Sequence, residues 1–169
     1  MRSADLLADA FDRIRQSVHA AVDGLSVDQL AVRLDPKANS IAWLVWHLTR
    51  VQDDHVSDVA GIDQAWTAEG WADRFGLPFD AAATGYGHTS DDVAAVKVSA
   101  ELLSGYHDAV HARTRSFVEG LSDADLDRIV DESWTPAVSL GVRLVSVIND
   151  DCQHVGQAAF ARGIVERRG

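Results

Sequence analysis

The chain has 169 residues, 47% of them hydrophobic and 24% charged, and its 26 Asp+Glu outnumber 15 Lys+Arg for a formal net charge of −11. That balance repels nucleic-acid phosphates, and no basic patch is visible along the sequence. The single cysteine, Cys152, excludes an internal disulfide framework and an all-cysteine zinc site; no apolar run nears the ~18 residues of a membrane span, and the first residues lack the apolar core of a signal peptide. The expectation is one cytoplasmic domain over residues 1–169.

Helical periodicity dominates the chain. Leu6, Leu7, Ala10, Phe11, Ile14, Val18 and Ala21 recur at 3.6-residue spacing and predict a first helix over 3–23. A turn at Asp23-Gly24 and a short stretch Ser26–Leu34 follow. The second helix opens near Asn39 or Ser40 as N-cap and runs to about Val59, before Gly61. Segment 61–90, rich in Gly and aromatics, exceeds the ~2–8 residues of an ordinary bundle connection and reads as a lid or binding loop. A third helix is predicted from Ser90 to Glu119, stopped by Gly120, and a fourth from about Ser139 to Gly163. Almost no stretch alternates as a half-buried strand does. The pattern is that of an all-α, antiparallel four-helix bundle with a lid-like segment between its second and third helices. Gly24-Leu25-Ser26-Val27-Asp28-Gln29-Leu30 is echoed at Gly120-Leu121-Ser122-Asp123-Ala124-Asp125-Leu126, which reads either as two related halves or as a common capped turn.

On the wheel of the second helix, Trp43, Leu44, His47, Leu48, Val51 and His55 share a broad apolar arc, with Arg50, Asp53 and Ser57 opposite. Asp53, Asp58, Asp123, Asp125 and Asp127 are accordingly assigned to solvated faces. The fourth helix has an apolar face of Leu140, Leu144, Val147, Ile148, Val155 and Ala158, with Asp150, Asp151 and His154 in or beside it. A carboxylate among aliphatics is costly unless a cation compensates. Asp150 and His154 are one turn apart and can bind one ion. Joined by His47 from a facing helix, they form a three-ligand set suited to catalytic zinc or to Fe(II). Asp151 lies closer to the centre of the arc and is either the ligand in place of Asp150 or a partner orienting an imidazole.

Further candidates carry plainer readings. His107 and His111 form a second i,i+4 pair, read as a polar flank or pocket edge. His55 is a candidate fourth ligand, and Asp54 and Asp151 are candidate bases. Cys152 points away from Asp150 and His154 and reads as a small packed residue. Trp43, Trp46, Trp66 and Trp71 supply either core packing or an aromatic wall and lid. Arg74, Arg143 and Arg162 are candidate anchors for an anionic group, with nothing to select among them.

The string Asn39-Ser40-Ile41-Ala42-Trp43-Leu44-Val45-Trp46-His47-Leu48, followed by Asp54-His55, resembles the second-helix motif of the DinB-like superfamily, and Asp150-Asp151-Cys152-Gln153-His154-Val155-Gly156-Gln157 resembles that of its last long helix. The resemblance covers most of the chain. It implies a four-helix bundle with a divalent metal between helices, in a superfamily that includes thiol-dependent S-transferases and mycothiol-dependent maleylpyruvate isomerase. Many members have His-x-x-x-His on the last helix, whereas Asp150 stands first here, as a carboxylate does in the isomerase branch. The family pattern thus implies metal ligands His47, Asp150 and His154. Trp71-Ala72-Asp73-Arg74-Phe75-Gly76-Leu77-Pro78 with Thr84-Gly85-Tyr86-Gly87-His88 resembles an actinobacterial sub-branch. The implied activity is metal-dependent activation of a low-molecular-weight thiol such as mycothiol, by zinc or else nickel or iron, for S-transfer to an electrophile or thiol-assisted isomerisation. A non-catalytic metal- or small-molecule-binding bundle and a metal-dependent hydrolase are the alternatives. Homodimers are frequent in the superfamily and remain an open expectation.

Overall fold

The computed structural model describes residues 1–168. In chain order it comprises helices α1 (Ser3–Val22), α2 (Val27–Leu30), α3 (Ile41–Ala60), α4 (Ala65–Ala68), α5 (Trp71–Phe75), α6 (Ser90–Ala95) and α7 (Ala100–Glu119), a 3-10 turn (Asp123–Asp127), strands β1 (Ile129–Asp131) and β2 (Val138–Ser139), and helix α8 (Leu140–Arg168). The four long helices, α1, α3, α7 and α8, pack as the expected bundle. No helix among the described residues is long and apolar enough to cross a membrane.

Polar contacts fix the helix directions. Arg15 and His19 of α1 meet Asp108 of α7, and Asp12 meets His111 and Arg115, so α1 and α7 are antiparallel. Arg162 of α8 donates to the carbonyls of Ala20 and Asp23, while Arg13 and Ile14 lie beside Cys152, so α1 and α8 are parallel. His47 faces His154 and His55 faces Arg143, so α3 and α8 are antiparallel. It follows that α3 and α7 run the same way. The connection between them must return along the bundle, which explains a segment too long for a hairpin loop. The core holds Phe11, Ile14 and Val18 from α1, Leu44 and Leu48 from α3, Leu103 and Val110 from α7, and Leu140, Leu144 and Val147 from α8. Burial of each such side chain contributes roughly 1.5–3 kcal/mol.

Helix ends follow local chemistry. Ser40 caps α3 by accepting the Trp43 N–H, and Gly61, at φ +67°, ends it in the left-handed conformation. The third helix expected over 90–119 is two helices. Val96 leaves helical geometry, Val96 and Val98 both bury their side chains around Lys97, and Ser99 then caps α7 through the Leu102 N–H. The echoed segments are capped turns: Ser26 and Ser122 each open a short turn through a capping box with Gln29 and Asp125. The small β1–β2 hairpin, absent from the sequence expectation, pairs Ile129 with Ser139 and Asp131 with Val138 and leads directly into α8, which extends past Gly163 to Arg168.

Candidate metal centre

His47 projects from the second turn of α3 and is only 8% exposed. Across from it, Asp150 and His154 lie one turn apart on α8, with His154 Nε2 3.6 Å from Asp150 Oδ1. The two imidazole centroids are 4.8 Å apart and nearly perpendicular. One potential ligand atom from each of the three residues lies within 4.8 Å of the others.

Both rings are fixed through Nδ1. The His47 Nδ1–H donates to the Thr84 carbonyl at 2.5 Å, and the His154 Nδ1–H donates to Gln157 Oε1 at 3.0 Å. Each ring therefore keeps Nε2 for another partner, the arrangement in which metal-binding imidazoles are usually oriented. Burial lowers the pKa of His47 and so favours the neutral ring, against the opposing effect of the Thr84 hydrogen bond. Asp150 Oδ2 is buried and has no hydrogen-bond partner among the described residues. An unpaired buried carboxylate oxygen is costly, and a cation would relieve it. Two neutral imidazole nitrogens and one carboxylate oxygen suit a divalent ion such as zinc, nickel or iron.

The crossover segment builds one wall of this centre. Gly85 adopts φ +98°, and a Cβ there would sit 2.6 Å from His47 Nδ1 and 3.1 Å from the rings of Trp43 and Trp46. Only glycine lets the backbone approach closely enough to offer the Thr84 carbonyl. Trp43 stacks on His47 at 4.6 Å and donates its indole N–H to His88 Nδ1 at 3.2 Å. His88 in turn stacks on Trp46 at 5.5 Å. Trp66 and Trp71 pack against Tyr106, fastening the segment to α7. The four tryptophans thus divide into a wall at the centre and an anchor for the crossover.

Arg50, Asp53 and Ser57 do not lie on a solvated face; they are 0%, 2% and 4% exposed. The crossover covers the side of α3 that the helical wheel leaves to water, and it satisfies their polar groups. The Arg50 guanidinium donates to the carbonyls of Ala83 at 3.1 Å and Ala81 at 3.5 Å, to Gln64 Oε1 at 2.9 Å and to the Tyr106 hydroxyl at 3.2 Å. Asp53 accepts from the Tyr106 hydroxyl at 2.8 Å and from the Ala65 and Trp66 N–H groups at 2.9 and 2.8 Å. Burial and the Asp53 charge push the Tyr106 pKa well up. This network holds residues 81–83, immediately before the carbonyl that orients His47.

The remaining candidates fall elsewhere. Asp54 accepts from Gln64 Nε2 at 2.7 Å, and His55 lies beside Arg143; neither joins the three-residue cluster. Burial, then the Arg143 charge, lowers the His55 pKa. Asp151 is fully buried with neither oxygen hydrogen-bonded among the described residues, so it orients no imidazole; burial pushes its pKa well up. His107 is not a pocket edge but fully buried, both ring nitrogens unpartnered among the described residues, whereas His111 pairs with Asp12 at 2.8 Å. Cys152 is exposed, beside Arg13 and Ile14 of α1, rather than packed. Arg74 bonds the Glu69 carbonyl and lies over Trp71, Arg143 pairs with Asp131, and Arg162 holds the end of α1 and Glu166. Thr84, Gly85 and Gln157 were not singled out from the sequence for the roles they play here. The Gly85-x-Gly87 spacing and the glutamine three residues after His154 were the available signals.

The mycothiol-S-transferase family profile matches residues 6–166. Among solved structures, a conserved protein from Enterococcus faecalis is 31% identical, with a TM-score of 0.91 over 98% of each chain. No curated protein matches. The match spans nearly the whole chain, including both helices that form the centre, and the chain belongs to the mycothiol-S-transferase family, a DinB-like family.

Proposed function

We propose that the protein is a divalent-metal-dependent enzyme that activates mycothiol, or a similar thiol of the cytoplasm, for S-transfer to an electrophile or for thiol-assisted isomerisation. His47, Asp150 and His154 are the metal ligands in this reading, and zinc is the ion. The observation that carries it is the double anchoring of the imidazoles, by Thr84 and by Gln157, around a carboxylate with an unpaired buried oxygen. Family membership supports the thiol.

When bound, such an ion lowers the pKa of a thiol into the neutral range and so makes a nucleophile available. The chain's residues supply the setting. Thr84 and Gln157 keep a proton on Nδ1 of each imidazole and leave Nε2 unprotonated for binding. The Asp150 charge offsets part of the cation's charge. Trp43, Trp46 and His88 shield the His47 side from water, while the Asp150 side chain stays 36% exposed and leaves an approach for substrates. The thiol proton leaves to solvent on that side.

The hydrolytic alternative requires a base at the ion, and its two candidates are poorly disposed: Asp54 is engaged by Gln64 and Asp151 is sealed in the interior. The non-catalytic alternative is favoured by a closed sphere with His55 or Asp54 as fourth ligand, and neither joins the cluster. The test is thioether formation from monobromobimane with the zinc-loaded protein. We expect enzyme-dependent turnover with mycothiol, its loss on chelation and its return with zinc. Turnover that needs no thiol supports hydrolysis instead, and no turnover beyond the uncatalysed rate supports a binding protein.

A further inference from the structure

Between α3 and the crossover lies a cleft of about 390 Å³ whose walls include none of His47, Asp150 and His154. Trp46 and Trp66 line it, with Phe79 beside Trp46 at a centroid distance of 5.5 Å. These two tryptophans are 1% and 4% exposed, and neither indole N–H has an acceptor among the described residues. The neighbouring indoles are satisfied: Trp43 donates to His88 and Trp71 to Glu69. An unmet buried donor costs about 1–3 kcal/mol, and both unmet indoles belong to residues of this one cleft. Asp73 and Asp80, both exposed, also line it, with no basic group within ion-pair distance among the described residues. The walls are held in advance. Asp53 accepts from the Ala65 and Trp66 N–H groups and Arg50 donates to the Ala81 carbonyl, so both ends of the lining segment are tied to α3.

We infer that this cleft binds a small aromatic cation that also carries a carbonyl oxygen. The site is separate from the metal centre, and the inference does not depend on the thiol reading. An indole N–H only donates, so its ligand must supply an acceptor. Trp46 is tilted 67° from Trp66 and 46° from Phe79, which offers ring edges and ring faces to a flat aromatic group. A cation gains from the ring faces and from the two unpaired carboxylates, whereas an anion is repelled. No lysine or arginine lines the cleft to reverse that preference. The volume lies near the low end of the roughly 300–1,000 Å³ of small-molecule sites, enough for one ring with a short polar arm.

The probe is benzoylcholine, which joins a phenyl ring, an ester carbonyl and a permanent positive charge. It is titrated into the full-length protein at low ionic strength and followed through the indole N–H signals in NMR spectra. We expect saturable shifts of the Trp46 and Trp66 signals, while those of Trp43 and of the exposed Trp134 stay in place. Hippurate, with the same ring and a carboxylate, should bind about tenfold more weakly. The Asp73→Asn, Asp80→Asn double variant should weaken benzoylcholine binding at least about threefold and leave that of uncharged methyl benzoate unchanged. Both carboxylates are exposed, and the amide oxygen of an asparagine at position 80 can still accept the Ala82 N–H, so this variant should keep the wild-type circular dichroism. Absence of saturable shifts at Trp46 and Trp66, shifts confined to Trp43, equal binding of hippurate, or unchanged benzoylcholine affinity in the double variant overturns the inference. Failure of thiol turnover bears on the metal centre alone, because the titration reads a cleft that contains no metal ligand.

Discussion

The Nδ1–H of His47 donates to the main-chain carbonyl of Thr84 across 37 residues of sequence, at 2.5 Å. A residue on the bundle is thereby aimed by a residue on the crossover, and Gly85 makes the approach possible. We expect Gly85→Ala to displace either the crossover backbone or His47, weakening zinc binding by about 10–100-fold, the usual effect of losing a group that orients a metal ligand. Gly87→Ala is the control. Gly87 has φ +76° with open space around its Cβ position, so that variant carries backbone strain of about 1–2 kcal/mol and should keep its zinc affinity. Competition against a chromogenic chelator measures both.

The buried Arg50–Asp53–Tyr106 network predicts a graded stability series. Arg50→Ala strands the Asp53 carboxylate in the interior and releases the Ala81 and Ala83 carbonyls; we expect a loss of about 3–5 kcal/mol. Tyr106→Phe keeps the ring packing and removes two hydrogen bonds to charged groups, the one donated to Asp53 and the one accepted from Arg50, for a loss of at least about 1.5–3 kcal/mol. Urea denaturation of the metal-free proteins gives both values. Equal stability of Arg50→Ala and wild type contradicts the clamp.

His107 sets a pH dependence. Burial lowers its pKa from 6.5 to about 3, aided by the nearby His111 and opposed by Asp108, with smaller effects from His19 and Arg15 on α1. The unfolded chain therefore takes up a proton below pH 6.5 that the folded chain refuses, so this group's effect is flat above pH 6.5 and destabilising as pH falls toward 3. The slope approaches 1.4 kcal/mol per pH unit, at most about 2 kcal/mol between pH 6.5 and 5. In His107→Leu this component is absent. Its stability relative to wild type should be constant from pH 7 to 8 and rise by up to about 2 kcal/mol on going to pH 5, as measured by paired urea titrations. A relative stability that is independent of pH throughout contradicts the buried, neutral histidine.

Metal removal should act on folding as well as on turnover. A ligand that binds only the folded state at 1,000 times its Kd adds about 4 kcal/mol. We expect chelation to lower the melting temperature of the wild type and added zinc to restore it, with no such response in His47→Ala.

The bundle was legible because Leu6 to Ala21 and Leu140 to Ala158 repeat at helical spacing, and the site residues were legible because Asp150 and His154 interrupt an apolar face. Arg50 and Asp53 were misread because a helical wheel assigns polar residues to water, whereas α3 is covered on that side by a segment with little periodicity of its own. The break at Val96 was hidden because two short capped helices in sequence mimic one long helix. The role of Thr84 could not be read at all, since it acts through a backbone carbonyl, which any residue carries.

The central claim is that His47, Asp150 and His154 bind one divalent ion. Zinc per chain, determined by elemental analysis after reconstitution and gel filtration, tests it most directly on wild type, His154→Ala, Asp150→Asn and Asp151→Asn. We expect about one zinc per chain in the wild type and in Asp151→Asn, whose carboxylate makes no hydrogen bond among the described residues and lies outside the three-residue cluster, and strong loss in His154→Ala and Asp150→Asn. Equal zinc in all four proteins, or loss in Asp151→Asn with retention in Asp150→Asn, contradicts the account.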